Sequence, residues 1–343
     1  MRIVTLKKET SLLALASCAG ITEAELMEIN GLERRSSLPR GMSLILPSKD
    51  EKPKKGLELF VSYSAASADS EASAAICSAG IFAPGEHAAP RHTLPLLALS
   101  NTDAGGFVSP AMAHELLFDE KKADDSIKAL VAKLEGEAWG GLILDMEYLF
   151  PFDKAPYTDF VRKLEKSVHR SGRWLIVSVP ASAVLTPHSR SGAAYDIAAL
   201  AAVSERLILM PDEAWDDESL ERCLRQLEKL MPLGKLLLGV KAHGLIRCAS
   251  RENPLPPAAA HNLALSLRAG IHRKNDFAPA EFDFTDASGL RCRASYSDAL
   301  WLRSLFEMLQ RFEAAGIFCP GLSSLCPGAK FIFDSLFYPQ KLI

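Results

Sequence analysis

From residue 56 onward, short apolar runs alternate with stretches in which apolar side chains recur every three or four positions. Short apolar runs are typical of buried strands, and the three-to-four spacing is typical of one face of a helix. Their alternation predicts repeated βα units and a parallel sheet. The predicted strands reach eight, the number that a closed barrel needs: Leu57–Tyr63, Ile76–Phe82, Leu94–Ser100, Leu142–Glu147, Trp174–Val179, Arg206–Met210, Lys235–Val240 and Gly316–Cys319.

The first 48 residues have a pattern of their own. A short strand is followed by two helices, the first of which Thr10 or Ser11 can cap and the second Thr22, and a strand returns over residues 42–46. This βααβ order predicts a small separate module, and we expect a fragment of residues 1–50 to fold by itself. Residues 49–55 are charged and carry no aliphatic side chain, which predicts a linker.

The predicted fourth strand ends in two acids one residue apart, Asp145 and Glu147. Residues i and i+2 of a strand share a face, so these acids point one way, while Leu144, Met146 and Tyr148 point the other. A bare pair of this kind is as easily an exposed strand end. In a parallel barrel, however, the carboxyl ends of the strands carry the active site.

The segment around this pair resembles the fourth strand of family 18 glycoside hydrolases, which ends in D-x-E-Y. The matching residues are Gly141, Asp145, Glu147 and Tyr148, and the similarity to the spore-cortex-lytic and spore-germination branch continues through Pro151–Asp153 and Tyr157–Phe160. The resemblance covers residues 56 to about 325. It implies a (β/α)8 barrel over residues 56–343, with a small α+β insertion at about 245–300.

The N-terminal module resembles LysM, a small fold that recognises glycans containing N-acetylglucosamine. The matching residues are Leu26, Asn30-Gly31-Leu32 and the Leu38–Pro47 pattern. LysM modules usually have Gly-Asp before the first helix, where this chain has Lys8-Glu9. The fold prediction is unaffected, but that loop helps to form the sugar groove in the family.

The family resemblance implies the chemistry of the acid pair. Glu147 would be the general acid that protonates the leaving glycosidic oxygen, and the 2-acetamido group of the substrate would act as the nucleophile. Asp145 would orient and stabilise that acetamide. A second carboxylate on the same face would raise the pKa of the first toward neutral pH.

The sequence also departs from the family at three sugar-contacting positions. A tyrosine near Pro211-Asp212 is missing, His243 replaces an aromatic residue, and Cys319 stands where a tryptophan forms the floor of a sugar subsite. The candidate substrate-binding residues are Asp212, Trp215, His243, Tyr63 and Asn101. Trp215 is as easily a buried loop anchor, and His243 as easily a packed strand-end residue.

Composition limits the alternatives. A net charge of −3 gives no reason to expect nucleic acid as a partner, and no apolar run is long enough to span a membrane. The start of the chain lacks the features of a signal peptide, so we expect a cytoplasmic or spore-associated protein. The seven cysteines are scattered and predict free thiols of a reducing compartment, with no metal or cofactor.

Two functional hypotheses follow from the sequence. The first is a glycoside hydrolase, expected to be a monomer, that acts on a polysaccharide containing N-acetylglucosamine, such as peptidoglycan or a chitin-like glycan. The second is a barrel with a decayed site that binds glycan without cleaving it. The acid pair favours the first hypothesis, and the missing aromatic residues favour the second.

Overall fold

The computed structural model describes residues 1–33, 37–47, 55–63, 79–82, 93–103, 107–137, 139–249, 251–319, 321–322, 324–339 and 342. The predicted linker lies almost entirely outside these residues. The chain divides into two compact units. The barrel unit comprises residues 57–240, 312–320 and 339–343, and the mixed unit comprises residues 1–56, 241–311 and 321–338.

The N-terminal part of the mixed unit has the predicted βααβ order. Strand β1 (Arg2–Thr5) pairs antiparallel with β4 (Ser43–Leu46), and the short strands β2 (Thr10–Ser11) and β3 (Ser37–Leu38) pair with each other. Helices α1 (Leu12–Ala19) and α2 (Glu23–Asn30) lie between them in the sequence. As predicted, Ser11 and Thr22 cap these helices, and Thr22 forms a full capping box with Glu25.

All eight predicted barrel strands are present. Each pairs in parallel with its neighbours, and the last pairs with the first, so the sheet closes into the expected (β/α)8-like barrel. The strands are β5 (Lys55–Tyr63), β6 (Ala79–Phe82), β7 (Leu94–Ser100), β8 (Gly141–Asp145), β9 (Trp174–Pro180), β10 (Arg206–Met210), β11 (Leu236–Gly239) and β16 (Gly316–Cys319).

The helices of the barrel unit follow the amphipathic stripes of the sequence. The helix over Lys154–Arg170 buries Phe160, Leu164 and Val168, as the spacing predicts. Among the described residues these helices are α3 (Pro110–Phe118), α4 (Glu120–Gly136), α5 (Lys154–Arg170), α6 (Ser182–Leu185), α7 (Ile197–Val203) and α8 (Asp217–Leu227). In the part of the chain that the structure describes, no helix is both long and apolar enough to cross a membrane.

The interior of the barrel is a packed layer of apolar side chains, with at least one from most strands. Its buried members are Phe60, Ala79, Ile81, Leu94, Leu96, Ile143, Ile176, Ile208 and Leu237. Because side chains alternate along a strand, residues two positions before or after this layer also face the interior. At the amino end these positions hold Glu58 and Arg206, whose Nε lies 2.6 Å from the Glu58 carboxylate.

The rest of the mixed unit is built around a four-stranded antiparallel sheet. Its strands are β12 (Gly244–Cys248), β13 (Arg251–Pro254), β14 (Ala280–Thr285) and β15 (Arg291–Tyr296), in the order β13-β12-β15-β14. The predicted hairpin is therefore present as β14 and β15. Helices α9 (Pro257–Leu267), α10 (Ala299–Arg311) and α11 (Ala329–Leu336) and the strand β17 (Phe337–Pro339) complete the described elements.

One hydrophobic core joins the N-terminal module to this sheet. Leu12, Leu26 and Leu44 of the module belong to the same buried cluster as Phe282 and Tyr296. Excising residues 1–50 would expose half of this core to water. The shared core therefore argues against the expectation that the fragment folds by itself.

The prediction of seven free cysteines is wrong, because Cys248 and Cys292 form a disulfide. The two residues are 44 positions apart in the sequence but directly opposite each other on β12 and β15. Spacing along the chain gives no sign of such a cross-strand pair. Cys18, Cys223 and Cys326 are free, and Cys77 lies outside the described residues.

The mixed unit contains a buried ion pair between Arg273 and Asp298. Arg273 Nη2 lies 2.6 Å from Asp298 Oδ2 and also donates to the Ser43 hydroxyl of β4. The Asp298 side chain is 2% exposed and accepts backbone hydrogen bonds from Leu300 and Trp301 at the start of α10. This network links the N-terminal module, the inserted segment and a helix.

Arg273→Met should lower the free energy of unfolding by about 3–5 kcal/mol, because it leaves a buried carboxylate without its counterion. Arg293→Met is the matched control, since it breaks an Arg–Asp pair of the same unit whose side chains are more than half exposed. The control should cost at most about 1 kcal/mol. Denaturant unfolding of the full chain measures both values, and equal losses would contradict the role given to the buried pair.

Candidate active site

Strand β8 brings Asp145 to the carboxyl end of the barrel. The strand starts at Gly141, where a Cβ atom would lie 2.4 Å from the carbonyl oxygen of Trp174, so only glycine fits. Ile143 belongs to the buried layer of the barrel interior. Asp145 is two residues further along the same face and is the last residue of the strand. It therefore faces the mouth of the barrel.

Glu147 lies just beyond the strand, which ends two residues earlier than predicted. The chain turns at Tyr148, which has a φ of +53°, a left-handed conformation that is uncommon for a non-glycine residue. The interpretation that Tyr148 points away from the acids is wrong, because strand alternation stops before it. Its side chain is 65% exposed.

The backbone of Glu147 is held by the side chain of Asn101, the residue after β7. Asn101 Oδ1 accepts from the Glu147 N–H at 2.9 Å, and Asn101 Nδ2 donates to the Glu147 carbonyl at 3.0 Å. The same nitrogen donates to the Ser109 carbonyl at 3.1 Å. The preceding residues, Ser100 and Asp145, are paired across β7 and β8. The Asn101 amide thus continues the strand pairing where the backbone ladder ends.

A second side chain fixes the residue between the two acids. The hydroxyl of Tyr195 donates to the carbonyl of Met146 at 2.7 Å. Tyr195 follows a single helical turn at Gly192–Ala194 and is 4% exposed. Asn101 and Tyr195 together hold the segment from Met146 to Glu147, so the direction of the Glu147 side chain depends on both.

The acids lie in a pocket of about 260 Å³, and the described residues that line it all belong to the barrel unit. Its polar lining consists of carboxylates and hydroxyls, and its apolar lining comes from the ends of β9 and β10. The lining residues are Asp145, Met146, Glu147, Tyr148, Ser178, Pro180, Ser182, Ser191, Tyr195, Met210, Pro211 and Asp212.

The pocket favours the protonated form of both acids. Burial raises the pKa of Asp145, and a hydrogen bond with the Ser178 hydroxyl offsets part of that rise. Glu147 is exposed, but its partial burial still raises its pKa, and the nearby Asp145 charge raises it further. No Lys, Arg or His is among the described residues that line the pocket. These carboxyls therefore keep their protons to higher pH than exposed ones.

The other predicted substrate-binding residues have different positions. Asp212 lines the pocket. Trp215 is 5% exposed, and its indole N–H donates to the Gly239 carbonyl at 2.9 Å. These contacts fit a buried loop anchor better than a sugar-binding surface. His243 belongs to the mixed unit, where its Nε2 lies 2.6 Å from the Ser295 hydroxyl. Tyr63 is the last residue of β5.

Sequence reasoning missed Ser178 and Tyr195. Ser178 has a recognisable signal, because it is a polar residue two positions after the interior residue Ile176 on an apolar strand. Tyr195 lies in a connecting segment, where no periodicity applies. The three described residues placed closely enough to hold a metal ion are Cys248, Asp286 and Cys292. Two of them are joined as a disulfide, so they offer no thiolate ligands.

No protein-family model matches the sequence. The cortical fragment-lytic enzyme of Bacillus subtilis is 22% identical over 247 residues, which are 66% of this chain and 56% of that protein. YdhD, also of Bacillus subtilis, is 20% identical over 243 residues, 66% of this chain and 57% of that protein. The chain thus matches little more than half the length of these relatives.

Solved structures show the same fold. The spore cortex-lytic enzyme SleL of Bacillus cereus superimposes with a TM-score of 0.86 at 17% identity, over 99% of this chain and 98% of that one. A chitinase of Chromobacterium violaceum gives a TM-score of 0.71 at 20% identity, over 81% of this chain and 98% of that one. The chain therefore has a fold like that of family 18 glycoside hydrolases, as its sequence predicts.

Asp145→Asn should stabilise the folded chain at pH 7. The folded-state pKa of Asp145 is raised, so ionisation of this group favours the unfolded chain at neutral pH. The difference between variant and parent should shrink as the pH falls and stop changing below about pH 3, where the group is protonated in both states. Thermal unfolding across this range measures it. Asp159→Asn is the control, since that side chain is 68% exposed and the change should have little effect. A variant less stable than the parent at pH 7 would contradict the argument.

Asn101→Ala should lower the free energy of unfolding by about 1–3 kcal/mol, because partly buried backbone groups of Glu147 and Ser109 lose their bonds to a buried amide. Asn262→Ala is the control, since this amide also makes three hydrogen bonds to backbone groups, but two of them are exposed to water. The control should cost less than about 1 kcal/mol. Equal losses in denaturant unfolding would mean that the Asn101 bonds are replaced by water.

Proposed function

We propose that the chain is a glycoside hydrolase acting on a polysaccharide that contains N-acetylglucosamine. The observation that carries this proposal is the pair of carboxyls at the mouth of the barrel, with Glu147 held by Asn101 and with the pKa of both acids raised. An acid catalyst near neutral pH needs a carboxyl that keeps its proton. The names of SleL and the cortical fragment-lytic enzyme favour a cell-wall glycan.

Glu147 would supply the proton in the first step. As the glycosidic bond breaks, Glu147 protonates the leaving oxygen, and the acetamide oxygen of the same sugar attacks the anomeric carbon. Asp145 would accept a hydrogen bond from the acetamide N–H and stabilise the positive charge of the cyclic intermediate. Water, deprotonated by Glu147, then opens that intermediate and regenerates the acid.

Two other features of the pocket fit a sugar. Asp212, Ser182 and Ser191 place further polar groups in its lining, and these can bond to hydroxyls. Met210, Pro211 and Tyr148 add apolar surface that can contact the C–H face of a ring. Binding and orientation by such a mixed lining would precede the chemistry.

The N-terminal module would deliver the barrel to its substrate as a LysM-type glycan-binding domain. Its βααβ order and its αL glycine after α2 support this assignment. The buried side chain of Asn30 bonds to backbone groups of Leu26 and Ile45, and so ties the end of α2 to β4. Residues 1–48, 49–55 and 56–343 remain the proposed module, linker and catalytic domain.

The second candidate is a glycan-binding protein without turnover. The observation that favours it is Cys319, which stands where the family has a stacking tryptophan and is fully buried. No tyrosine follows β10 at the predicted position either. Tyr195 does line the pocket, but its hydroxyl proton is directed to the Met146 carbonyl. A sugar could use that hydroxyl only as an acceptor.

Glu147→Gln should lower the rate of hydrolysis of soluble N-acetylglucosamine oligomers by about 10²- to 10⁴-fold, because it removes the proton donor with little change of shape. New reducing ends measure the rate. Glu213→Gln is the control, as an exposed glutamate on the segment next to Asp212 that does not line the pocket, and it should retain the parent rate. Hydrolysis by the variant at the parent rate would refute the role of Glu147, and a parent without any turnover would favour the binding protein.

The pH dependence gives an independent check. The rate should fall as the pH rises through the raised pKa of Glu147, because the acid then loses its proton. Asp145→Asn should move this fall to lower pH, since it removes the neighbouring charge, and it should also lower the maximal rate. If the rate of the Asp145→Asn variant falls at the same pH as the rate of the parent, another group is the acid.

A further inference from the structure

An open depression on the antiparallel sheet of the mixed unit carries an excess of positive charge. Its volume is about 660 Å³, and its described lining includes three arginines but one acid, whereas the whole chain has a net charge of −3. The described lining residues are Arg247, Asp283, Phe284, Thr285, Arg291, Cys292 and Arg293. We give the name arginine cluster to Arg247, Arg291 and Arg293.

Strand pairing brings the arginine cluster onto one face of the sheet. Arg247 of β12 is directly opposite Arg293 of β15, and Arg291 is two residues from Arg293 on the same strand. Side chains two residues apart on a strand share a face, and the Cβ atoms of opposite residues are about 4.5–5.5 Å apart. Like charges in this arrangement destabilise a sheet. An anion bound between the guanidinium groups would remove that repulsion.

A disulfide holds these two strands together despite the repulsion. The Cys248–Cys292 bond joins β12 to β15. Cys248 is next to Arg247 in the sequence, and Cys292 lies between Arg291 and Arg293. The spacing of the strands that carry the guanidinium groups is therefore fixed before any ligand binds, which lowers the entropic cost of binding.

The hairpin turn before Arg291 is fixed as well. Asp286 Oδ1 accepts the backbone N–H groups of Ser288 and Leu290, each at 2.9 Å. The backbone N–H of Asp286 donates to the Leu290 carbonyl, also at 2.9 Å. Arg291 follows Leu290 directly, so its backbone starts from an ordered turn.

The guanidinium groups of the cluster keep donors for a ligand. Arg247 Nε lies 2.5 Å from Glu252 Oε1, and Arg293 Nε lies 2.8 Å from Asp283 Oδ1. All four side chains are more than half exposed, so water competes for these contacts. Arg291 forms no ion pair with an acid among the described residues. Each guanidinium has five N–H donors, and the acids occupy a minority of them.

We infer that the arginine cluster binds the phosphate group of a phosphate monoester. Guanidinium groups pair with phosphate oxygens through two parallel N–H···O bonds. A phosphate monoester has three terminal oxygens and close to two negative charges. Its charge matches the excess of three arginines over one acid in the described lining. The inference is independent of the proposed function, because every described lining residue belongs to the mixed unit and none to the barrel unit.

The test is calorimetry of the full chain with methyl phosphate, at about pH 8, where the monoester is a dianion. An ionic strength of about 10 mM keeps screening weak. The parent should bind methyl phosphate at least about tenfold more tightly than dimethyl phosphate, a diester with one charge and two terminal oxygens. Inorganic phosphate, titrated in parallel, distinguishes recognition of the phosphate group alone from recognition of an ester, and binding of either supports the site.

Arg291→Gln should weaken binding of methyl phosphate by at least about tenfold. This change corresponds to about 1.4 kcal/mol, the order expected for loss of a hydrogen bond between charged groups. Arg162→Gln is the control, since it removes the same charge from an exposed arginine of the barrel unit and should leave the affinity unchanged.

A second variant separates a built site from general attraction. Arg247→Lys with Arg293→Lys keeps both charges but loses the planar fork of donors, and should also weaken binding by at least about tenfold. The substituted positions of the cluster are exposed, so these variants should keep the fold of the parent.

Four results would each overturn the inference. They are absence of methyl phosphate binding by the parent, binding of the dicarboxylate malonate as tightly as methyl phosphate, parent affinity in Arg291→Gln, and parent affinity in the double lysine variant. The last result would show general attraction to positive charge. Because the titration involves no turnover and no residue of the barrel pocket, failure of the proposed hydrolase would leave its outcome unchanged.

Discussion

Closure of the parallel sheet decides what every residue of the barrel strands can do. Pairing of β16 with β5 leaves no free edge, so each strand has one face toward the interior and one toward the helices. Ile143, Ile176 and Ile208 fill the middle of the interior. A polar side chain on the inner face is then compatible with folding only above or below that layer. The closed sheet thus confines the chemistry of this chain to the two ends of its barrel.

The two ends of the barrel differ in whether their acidic side chains have a basic partner. At the amino end, Glu58 is 2% exposed and is matched by the guanidinium of Arg206, so the charges compensate each other. At the carboxyl end, Asp145 and Glu147 lie together without a basic side chain among the described lining residues. Desolvation there is not offset by a counterion, so it raises the pKa of both carboxyls. The ion pair at the amino end stabilises the fold, whereas the two acids at the carboxyl end keep their protons to higher pH than exposed carboxyls.

Holding such an acid requires support from outside its own strand. Glu147 lies beyond the end of β8, where no backbone partner is available to it from β7. Asn101 supplies those hydrogen bonds from its side chain, and Tyr195 supplies one to the preceding carbonyl. Asn101 was predicted as a substrate-binding residue. Its two amide donors and its oxygen are bonded to backbone groups, so its direct effect is on the position of Glu147.

The strands and the acid pair could be predicted because they depend on local patterns. Apolar runs located all eight barrel strands, and the D-x-E spacing located Asp145 and Glu147. Contacts between distant segments could not be predicted in this way. The Cys248–Cys292 bond, the core shared by Leu26 and Phe282, and the place of Tyr195 each depend on tertiary packing. The direction of the Tyr148 side chain was predicted wrongly for a local reason. Side chains alternate between two faces only while a strand continues, and this strand ends at Asp145.

The distribution of aromatic side chains bears on whether the barrel is an enzyme or a binding protein. The position expected to stack on the reacting sugar is a buried cysteine, and Phe318 before it packs against the interior layer. Exposed aromatic side chains are found instead outside the pocket, where Phe118 is 54% exposed and Phe152 is 59% exposed. Binding energy gained on distant sugar units can still be used at the reacting bond, because it fixes the substrate against Glu147. Loss of the stacking tryptophan therefore does not by itself imply loss of catalysis. In the proposed hydrolase, the contacts that fix the substrate would come from sugar units farther from the cleaved bond, so the rate would depend more strongly on substrate length.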